Sequence, residues 1–168
     1  MSKTATPEKL GFDEAVEETT PADVITAAMR LLAGRDHSRH ELAAKLARRL
    51  GSSPLIEGAL DELEDLGYLD DDRFVSSFID QRCRKGFGPL RILADLRAKG
   101  LAPDRGEQLL EEADIDWSSR LIEVAEHKFG GAVASGRADM ARRGRFLEQR
   151  GFPTSLIRRY LDRGVFAA

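Results

Sequence analysis

Several groups of residues in this 168-residue chain have the types and spacing that chemistry would require. Asp70, Asp71 and Asp72 could present carboxylate oxygens to a hard cation. Successive helical residues point in different directions, however, and no loop of ligand spacing follows. The three aspartates therefore read as a helix start, with Asp70 as N-cap and Asp71 and Asp72 where the helix dipole favours negative charge. His37, His40 and His127 include no pair four apart, and Cys83 is the single cysteine, so neither zinc spacing nor an intramolecular disulfide is available. Gly86-Phe87-Gly88-Pro89-Leu90-Arg91 has the look of a phosphate loop. It lacks a third glycine and a preceding strand, and Pro89 removes an N–H that a phosphate cradle would use. Ser52-Ser53 and Ser118-Ser119 have no histidine or carboxylate partner in register and read as caps or turns. The expectation is a protein that is not an enzyme, with no cofactor and no metal site.

The elements that carry these residues follow a repeat. Leu46, Leu96 and Leu147 each open the same run, about 50 residues apart. Ten positions on lie Ile56, Gly106 and Ile157; fourteen on lie Leu60, Leu110 and Leu161; four before lie Leu42, Ile92 and Arg143. Between them fall Gly51, Gly100 and Gly151, then Pro54, Pro103 and Pro153. Glycine ends one helix and proline is tolerated in the first turn of the next, so each run is helix, tight turn, helix. A further helical stripe precedes each run: Val24, Ile25, Ala28, Met29, Leu31 and Leu32; then Phe74, Val75, Phe78 and Ile79, with Cys83 on the same apolar side; then Leu121, Ile122, Ala125 and Phe129. Ser38 and Glu41 have capping-box spacing, and Leu69 and Phe74 flank Asp70 as a hydrophobic staple. The segment from Ala132 to Asp139 reads as a loop or frayed turn. With no alternating β-branched pattern, the fold class is all-α, an elongated tandem array of three three-helix repeats spanning 22–68, 69–115 and 116–168.

A hydrophobic content of 42% is enough for a packed core, and no run is long and apolar enough to suggest a signal peptide or membrane span. The expected location is cytoplasmic. The formal charge of −3 is unevenly spread. Over residues 1–23, Lys3 and Lys9 stand against Glu8, Asp13, Glu14, Glu17, Glu18 and Asp23, and residues 1–21 are expected to be a disordered acidic tail. Basic side chains recur on the middle helices: Arg39, Lys45, Arg48 and Arg49; Arg91, Arg97 and Lys99; Arg142, Arg143, Arg145 and Arg150. The third helices are acidic in the first two units (Glu57, Asp61, Glu62, Glu64, Asp65; Glu107, Glu111, Glu112) and basic in the last (Arg158, Arg159, Arg163). Two readings stay open: solvated faces joined by salt bridges, or a discontinuous basic stripe facing phosphates or an acidic protein groove.

Gly67-Tyr68-Leu69-Asp70-Asp71-Asp72-Arg73-Phe74, followed by Arg82-Cys83-Arg84-Lys85-Gly86-Phe87-Gly88-Pro89-Leu90-Arg91-Ile92, resembles the RecX family of bacterial recombination regulators. Leu32-Ala33-Gly34-Arg35-Asp36-His37-Ser38, Asp114-Ile115-Asp116-Trp117, Phe146-Leu147 and Arg150-Gly151-Phe152 extend the likeness over roughly Val24 to Leu161. The resemblance implies a curved array that lies in the groove of the RecA–single-stranded DNA filament. There it would block filament growth and suppress ATPase, strand exchange and co-protease activity. It implies RecA as partner, with single- or double-stranded DNA as a further contact, no membrane, and a monomeric chain. The alternative is a stand-alone DNA-binding helical module. For partner contact the exposed basic residues around the second unit are expected, Arg82, Arg84, Lys85, Arg91, Arg97 and Lys99, with Arg35 and Arg48 from the first.

Overall fold

A computed structural model describes residues 19–162. The described chain forms α1 (Pro21–Leu32), α2 (Arg39–Leu50), α3 (Leu55–Asp65), α4 (Asp71–Arg84), α5 (Pro89–Ala98), α6 (Pro103–Glu112), α7 (Trp117–Phe129), α8 (Gly136–Gln149) and α9 (Thr154–Asp162), with no strand among the described residues. Helices α1–α3, α4–α6 and α7–α9 pack as three triplets. Each triplet has its own core. Val24, Leu42, Leu46, Leu60 and Leu63 centre the first; Phe74, Val75, Ile79, Ile92 and Leu96 the second; Leu121, Ala125, Leu147 and Phe152 the third. Leu42, Leu46, Ile92, Leu96 and Leu147 are each buried, so the positions that revealed the repeat are the ones the cores are built on.

Of the acidic opening segment, residues 1–18 lie outside the described residues. Its last residues begin the fold. Thr20 caps α1, accepting from the Asp23 N–H at 3.3 Å while the Thr20 N–H donates to the Asp23 carboxylate at 2.9 Å, a complete capping box. At α2 only half of the expected box forms. Ser38 Oγ accepts from the Glu41 N–H at 3.1 Å, but the Glu41 carboxylate turns away to Arg35 and to Lys99 at 3.3 Å. Two guanidinium hydrogen bonds and an ammonium outcompete a single neutral N–H. The loop expected at Ala132–Asp139 is shorter than its composition implied: α8 starts at Gly136, and Asp139 accepts from the Ser135 N–H at 3.2 Å.

The two internal departures from the repeat are compensated locally. Gly106 replaces a branched residue, and Leu93 and Leu101 fill the space that a side chain would have used. Arg143 replaces an apolar residue yet is only 4% exposed. Its guanidinium pairs with Asp139 at 3.0 Å, donates to the Ala132 carbonyl at 2.8 Å and the Tyr160 hydroxyl at 3.2 Å, and lies over the Phe129 ring. Partners on several sides make a buried guanidinium tolerable. Arg143 is therefore an internal post of the third unit and no part of a surface stripe.

The units join head to tail through their middle helices. The end of α8 meets the start of α5: the Gly88 N–H donates to the Arg150 carbonyl at 2.7 Å and the Leu90 N–H to the Gly151 carbonyl at 3.0 Å. Gly88 has no side chain to cap α5, and Pro89 has no N–H to satisfy, so the carbonyls of the next unit serve as the cap. The end of α5 meets the start of α2 in the same sense, with Ser38 Oγ donating to the Lys99 carbonyl at 3.0 Å. Opposite dipole ends are thus brought together twice. The Gly-Pro corner read from sequence is real, but Gly88 is needed for a second reason. A Cβ there would lie 2.5 Å from the Gly151 carbonyl oxygen.

The three consecutive aspartates have three separate roles. Asp70 caps α4, accepting from the Arg73 N–H at 3.0 Å. Asp71 reaches into the first unit and accepts from the Arg39 N–H, the first donor of α2, at 2.7 Å. Asp72 pairs with Arg105 of α6. Leu69 packs in the first core and Phe74 in the second, so the residues flanking the cap tie neighbouring units together.

Glu41 gives the first junction a pH dependence. Burial pushes its pKa up, but the Arg35 hydrogen bonds and the Lys99 charge outweigh this and lower it from 4.5 to about 2. A depressed carboxylate stabilises the fold above its unfolded pKa and loses that contribution as pH falls through the folded value. Thermal unfolding should show stability declining between pH 4.5 and 2 by about 2–3 kcal/mol more in the wild type than in Glu41→Gln. Parallel curves would contradict the assignment. Buried His37 acts earlier and in the same direction: burial, with Arg35 and Lys45 nearby, lowers its pKa, so acidification below its ordinary 6.5 favours the unfolded chain.

Candidate functional site

The basic residues divide sharply by whether a carboxylate already holds them. Arg39 from α2 meets Glu57, Asp61 and Glu64 of α3 at 2.8, 2.7 and 2.7 Å. The acidic third helix of the first unit thus neutralises its own middle helix. Of the residues expected to contact a partner, Arg35 is held by Glu41, Arg82 and Arg91 by Asp95 at 3.0 and 3.1 Å, Arg97 by Glu107 at 3.0 Å, and Lys99 by Glu41. Arg82 also stacks on Phe78 and Phe87. Arg48, Arg84 and Lys85 are exposed and form no ion pair among the described residues. Arg48 sits beside the exposed Arg49 in the last turn of α2, apart from the other two. Arg84 and Lys85 are brought together with further cations.

Those cations line a cleft of about 340 Å³ where the second and third units meet. Its walls are the end of α4 (Cys83, Arg84, Lys85, Gly86), one face of α7 (Arg120, Glu123, Val124, His127, Lys128) and the end of α8 (Phe146, Arg150). Two of the guanidiniums have a structural task. Arg120 donates to the Cys83 carbonyl and Arg150 to the Lys85 carbonyl, both at 2.6 Å. They satisfy carbonyls that the end of α4 leaves without helical partners, and place positive charge at the negative end of its dipole. Arg150 is sandwiched besides, 5.3 Å from the Phe87 ring and 5.2 Å from the Phe146 ring.

The remaining charges in the cleft are free. The one carboxylate on its wall, Glu123, is taken by Arg120 at 2.6 Å. Lys85, Lys128 and Arg84 form no ion pair among the described residues and face solvent. The Cys83 thiol is half-buried and its pKa is pushed up by burial against the opposing charge of Arg120, so it is a protonated wall atom at neutral pH. An arrangement of unpaired ammonium and guanidinium groups beside Val124 and Phe146 can grip an anionic group on an apolar stem. No group of three or more His, Cys, Asp or Glu able to hold a metal occurs among the described residues.

Sequence reading identified Arg84 and Lys85 but not their neighbours from the third unit, Arg120, His127 and Lys128. No pattern along the chain pointed to them. They lie on the first helix of their unit, whereas the repeated basic signal lay on the middle helices, and only the head-to-tail joint folds that face toward α4.

Comparison with known proteins places all three units in one family. The models described as "RecX, first three-helix domain", "RecX, second three-helix domain" and "RecX, third three-helix domain" match residues 25–63, 70–110 and 114–161. A protein of Pseudomonas savastanoi pv. phaseolicola named Regulatory protein RecX is 44% identical over 143 residues, covering 85% of this chain and 92% of that one. A protein of Halorhodospira halophila with the same name is 40% identical over 132 residues, covering 79% and 82%. The crystal structure of RecX from Lactobacillus salivarius superposes with a TM-score of 0.74 over 87% of this chain and 97% of that chain, at 19% identity, a likeness of fold.

Proposed function

The chain belongs to the RecX family of regulatory proteins, and from that membership we propose that it is a non-enzymatic inhibitor of the RecA recombinase. It binds the groove of the RecA–single-stranded DNA filament and limits filament growth, ATP hydrolysis, strand exchange and co-protease activity. The observation that carries this reading is the presence of all three family domains in order along one chain. The geometry supplies a physical rationale. Middle helices joined end to end present successive units at fixed spacing, so that contacts with neighbouring filament protomers are linked and gain in effective concentration. The free cations at the second joint meet acidic side chains of the filament, while Lys99, paired with Glu41 across the first joint, helps to hold the array together.

The site of action is the cytoplasm, and no described helix is long and apolar enough to cross a membrane. The chain acts as a monomer. Added to RecA on single-stranded DNA, it should lower ATP hydrolysis at less than one molecule per protomer; an unchanged rate at equimolar protein would contradict the proposal. The exposed Arg84, Lys85 and Lys128 also favour a second reading, direct binding to the DNA backbone. Binding of that kind would persist without RecA and weaken steeply with salt.

A further inference from the structure

A second groove, of about 470 Å³, lies beside the joint between the second and third units and has the opposite character. Its rim carries Glu107 and Glu111 of α6 and Asp114 just beyond that helix. Its floor is apolar: Leu93 of α5, Leu110 of α6, and Ile115 and Trp117 at the entry to α7. The repeat shows what a rim of this kind holds. The register that sets Leu96 fifty residues after Leu46, and Leu110 fifty after Leu60, sets Glu107, Glu111 and Asp114 fifty after Glu57, Asp61 and Glu64. Those three are the carboxylates that converge on the Arg39 guanidinium in the first unit. Fifty residues after Arg39 stands Pro89. The second unit therefore keeps the acidic half of the arrangement without the guanidinium that the first unit draws from its own middle helix.

Only one of the three acids finds another partner. Arg97, in the last turn of α5, pairs with Glu107 at 3.0 Å, whereas Glu111 and Asp114 are exposed and form no ion pair among the described residues. The floor differs from the first unit as well. Directly after its capping aspartate α4 begins with Asp71, which accepts from the Arg39 N–H, whereas α7 begins with the half-buried Trp117. Leu93 stands where the first unit has Ala43. Free carboxylates beside this enlarged apolar surface fit a cation on an apolar carrier: the carboxylates hold a guanidinium, the indole offers it a ring face, and apolar neighbours cover the floor.

We propose that this groove is a docking surface for a segment of a partner protein that carries an arginine flanked by large apolar side chains. Its guanidinium takes, at Glu111 and Asp114, the place that Arg39 takes at Asp61 and Glu64. Trp117 floors this groove and Val124 the basic cleft, on one face of α7 and about 10 Å apart along its axis. A partner that engages both must present a basic and an acidic patch in that order, which gives the docked array one direction. The inference goes beyond inhibition of RecA and does not depend on RecA as the partner.

Trp117 is the only tryptophan in the chain, which makes the groove readable by fluorescence. The full-length protein, without RecA or DNA, is titrated with an acetylated and amidated peptide of sequence Leu-Arg-Leu-Leu. Trp117 emission should change saturably at peptide concentrations up to about 1 mM. The peptide Leu-Gln-Leu-Leu should bind about tenfold more weakly, and Glu111→Gln should weaken the arginine peptide to a similar degree. Asp114→Gly should weaken it about fivefold. Asp114 has φ +46°, which glycine adopts freely, so this variant removes a carboxylate without straining the backbone. Helical content by circular dichroism is the folding control for both variants. No saturable change with the arginine peptide overturns the proposal, and so does equal affinity for the two peptides, which would assign the groove to apolar contact alone. Unchanged affinity in Glu111→Gln overturns it too. Emission that shifts with protein concentration alone overturns it by assigning the groove to a second copy. With neither RecA nor DNA present, failure here is distinguishable from failure of the proposed inhibition.

Discussion

Gly151→Ala should cost the protein about 3–5 kcal/mol, whereas Gly51→Ala should cost about 1–2 kcal/mol, although both glycines have φ +85°. The shared part is the left-handed backbone, which any L side chain resists. The difference is what a Cβ would meet. At Gly51 nothing lies within 4 Å, because the end of α2 is the open end of the array. At Gly151 the new carbon would fall 2.4 Å from the Arg91 backbone N, and 2.4 Å from its Cβ. Backbone atoms cannot rotate aside, so α8 would have to withdraw from α5 and lose the two hydrogen bonds of the joint. Gly100→Ala provides an intermediate case: its Cβ would fall 2.3 Å from the His40 ring, which can rotate, and 2.6 Å from the His40 Cβ, which can yield only by a small shift of α2, with no backbone N–H or carbonyl in the clash. Thermal or urea unfolding of the three variants checks the order Gly151, Gly100, Gly51. Equal losses at Gly51 and Gly151 would mean that the joint contributes nothing.

The largest functional effect is expected from reversing the free cations of the cleft. Arg84→Glu, Lys85→Glu and Lys128→Glu together should weaken inhibition of RecA by about 10- to 100-fold, which corresponds to roughly 1.4–2.7 kcal/mol. Stability should fall only modestly: none of the three forms an ion pair among the described residues, and the losses are the place of Lys128 over the Phe146 ring and favourable charge in the last turns of α4 and α7. Reversal of Arg39 should do the opposite. It would leave Glu57, Asp61 and Glu64 repelling a new carboxylate and destabilise the first unit, with inhibition per folded molecule largely retained. The contrast is measured by ATPase inhibition constants alongside melting temperatures. It separates cations that bind a partner from cations that hold the fold.

Much of the fold was legible in the sequence because its signals are local. Apolar spacing, the Gly-Pro corners and the Asp70 cap each act within a few residues, and they marked helices that the structure contains. The all-α class and the three tandem units follow from them, and the family comparison agrees. What was not legible depends on residues far apart in the chain. Asp71 looks like any first-turn aspartate until it is seen to accept from Arg39 of the preceding unit. Glu41 has the right spacing for a capping box, yet Lys99 from the next unit draws it away. Gly88 and Gly151 look like ordinary helix ends, and their close approach exists only once two units are joined.

The same limit applies to the site. A count of basic residues along the chain weighs Arg39, Arg97 and Arg84 alike, but Arg39 and Arg97 are held by carboxylates of the following helix and Arg84 is not. Arg143 was indistinguishable from its neighbour Arg142 by type, and burial separates them. Lys128 and His127 carried no periodic signal at all. They join Arg84 and Lys85 because α7 packs beside the end of α4, an arrangement fixed by Arg120 and the Cys83 carbonyl.

The most direct test of the account is co-sedimentation of the chain with single-stranded DNA, bare and coated with RecA, at the same moderate salt concentration. The chain should pellet with the RecA-coated filament and stay in solution with bare DNA, and the Arg84, Lys85 and Lys128 reversal should abolish most of the pelleting. Equal pelleting on bare and coated DNA would contradict it and assign the basic cleft to the nucleic-acid backbone.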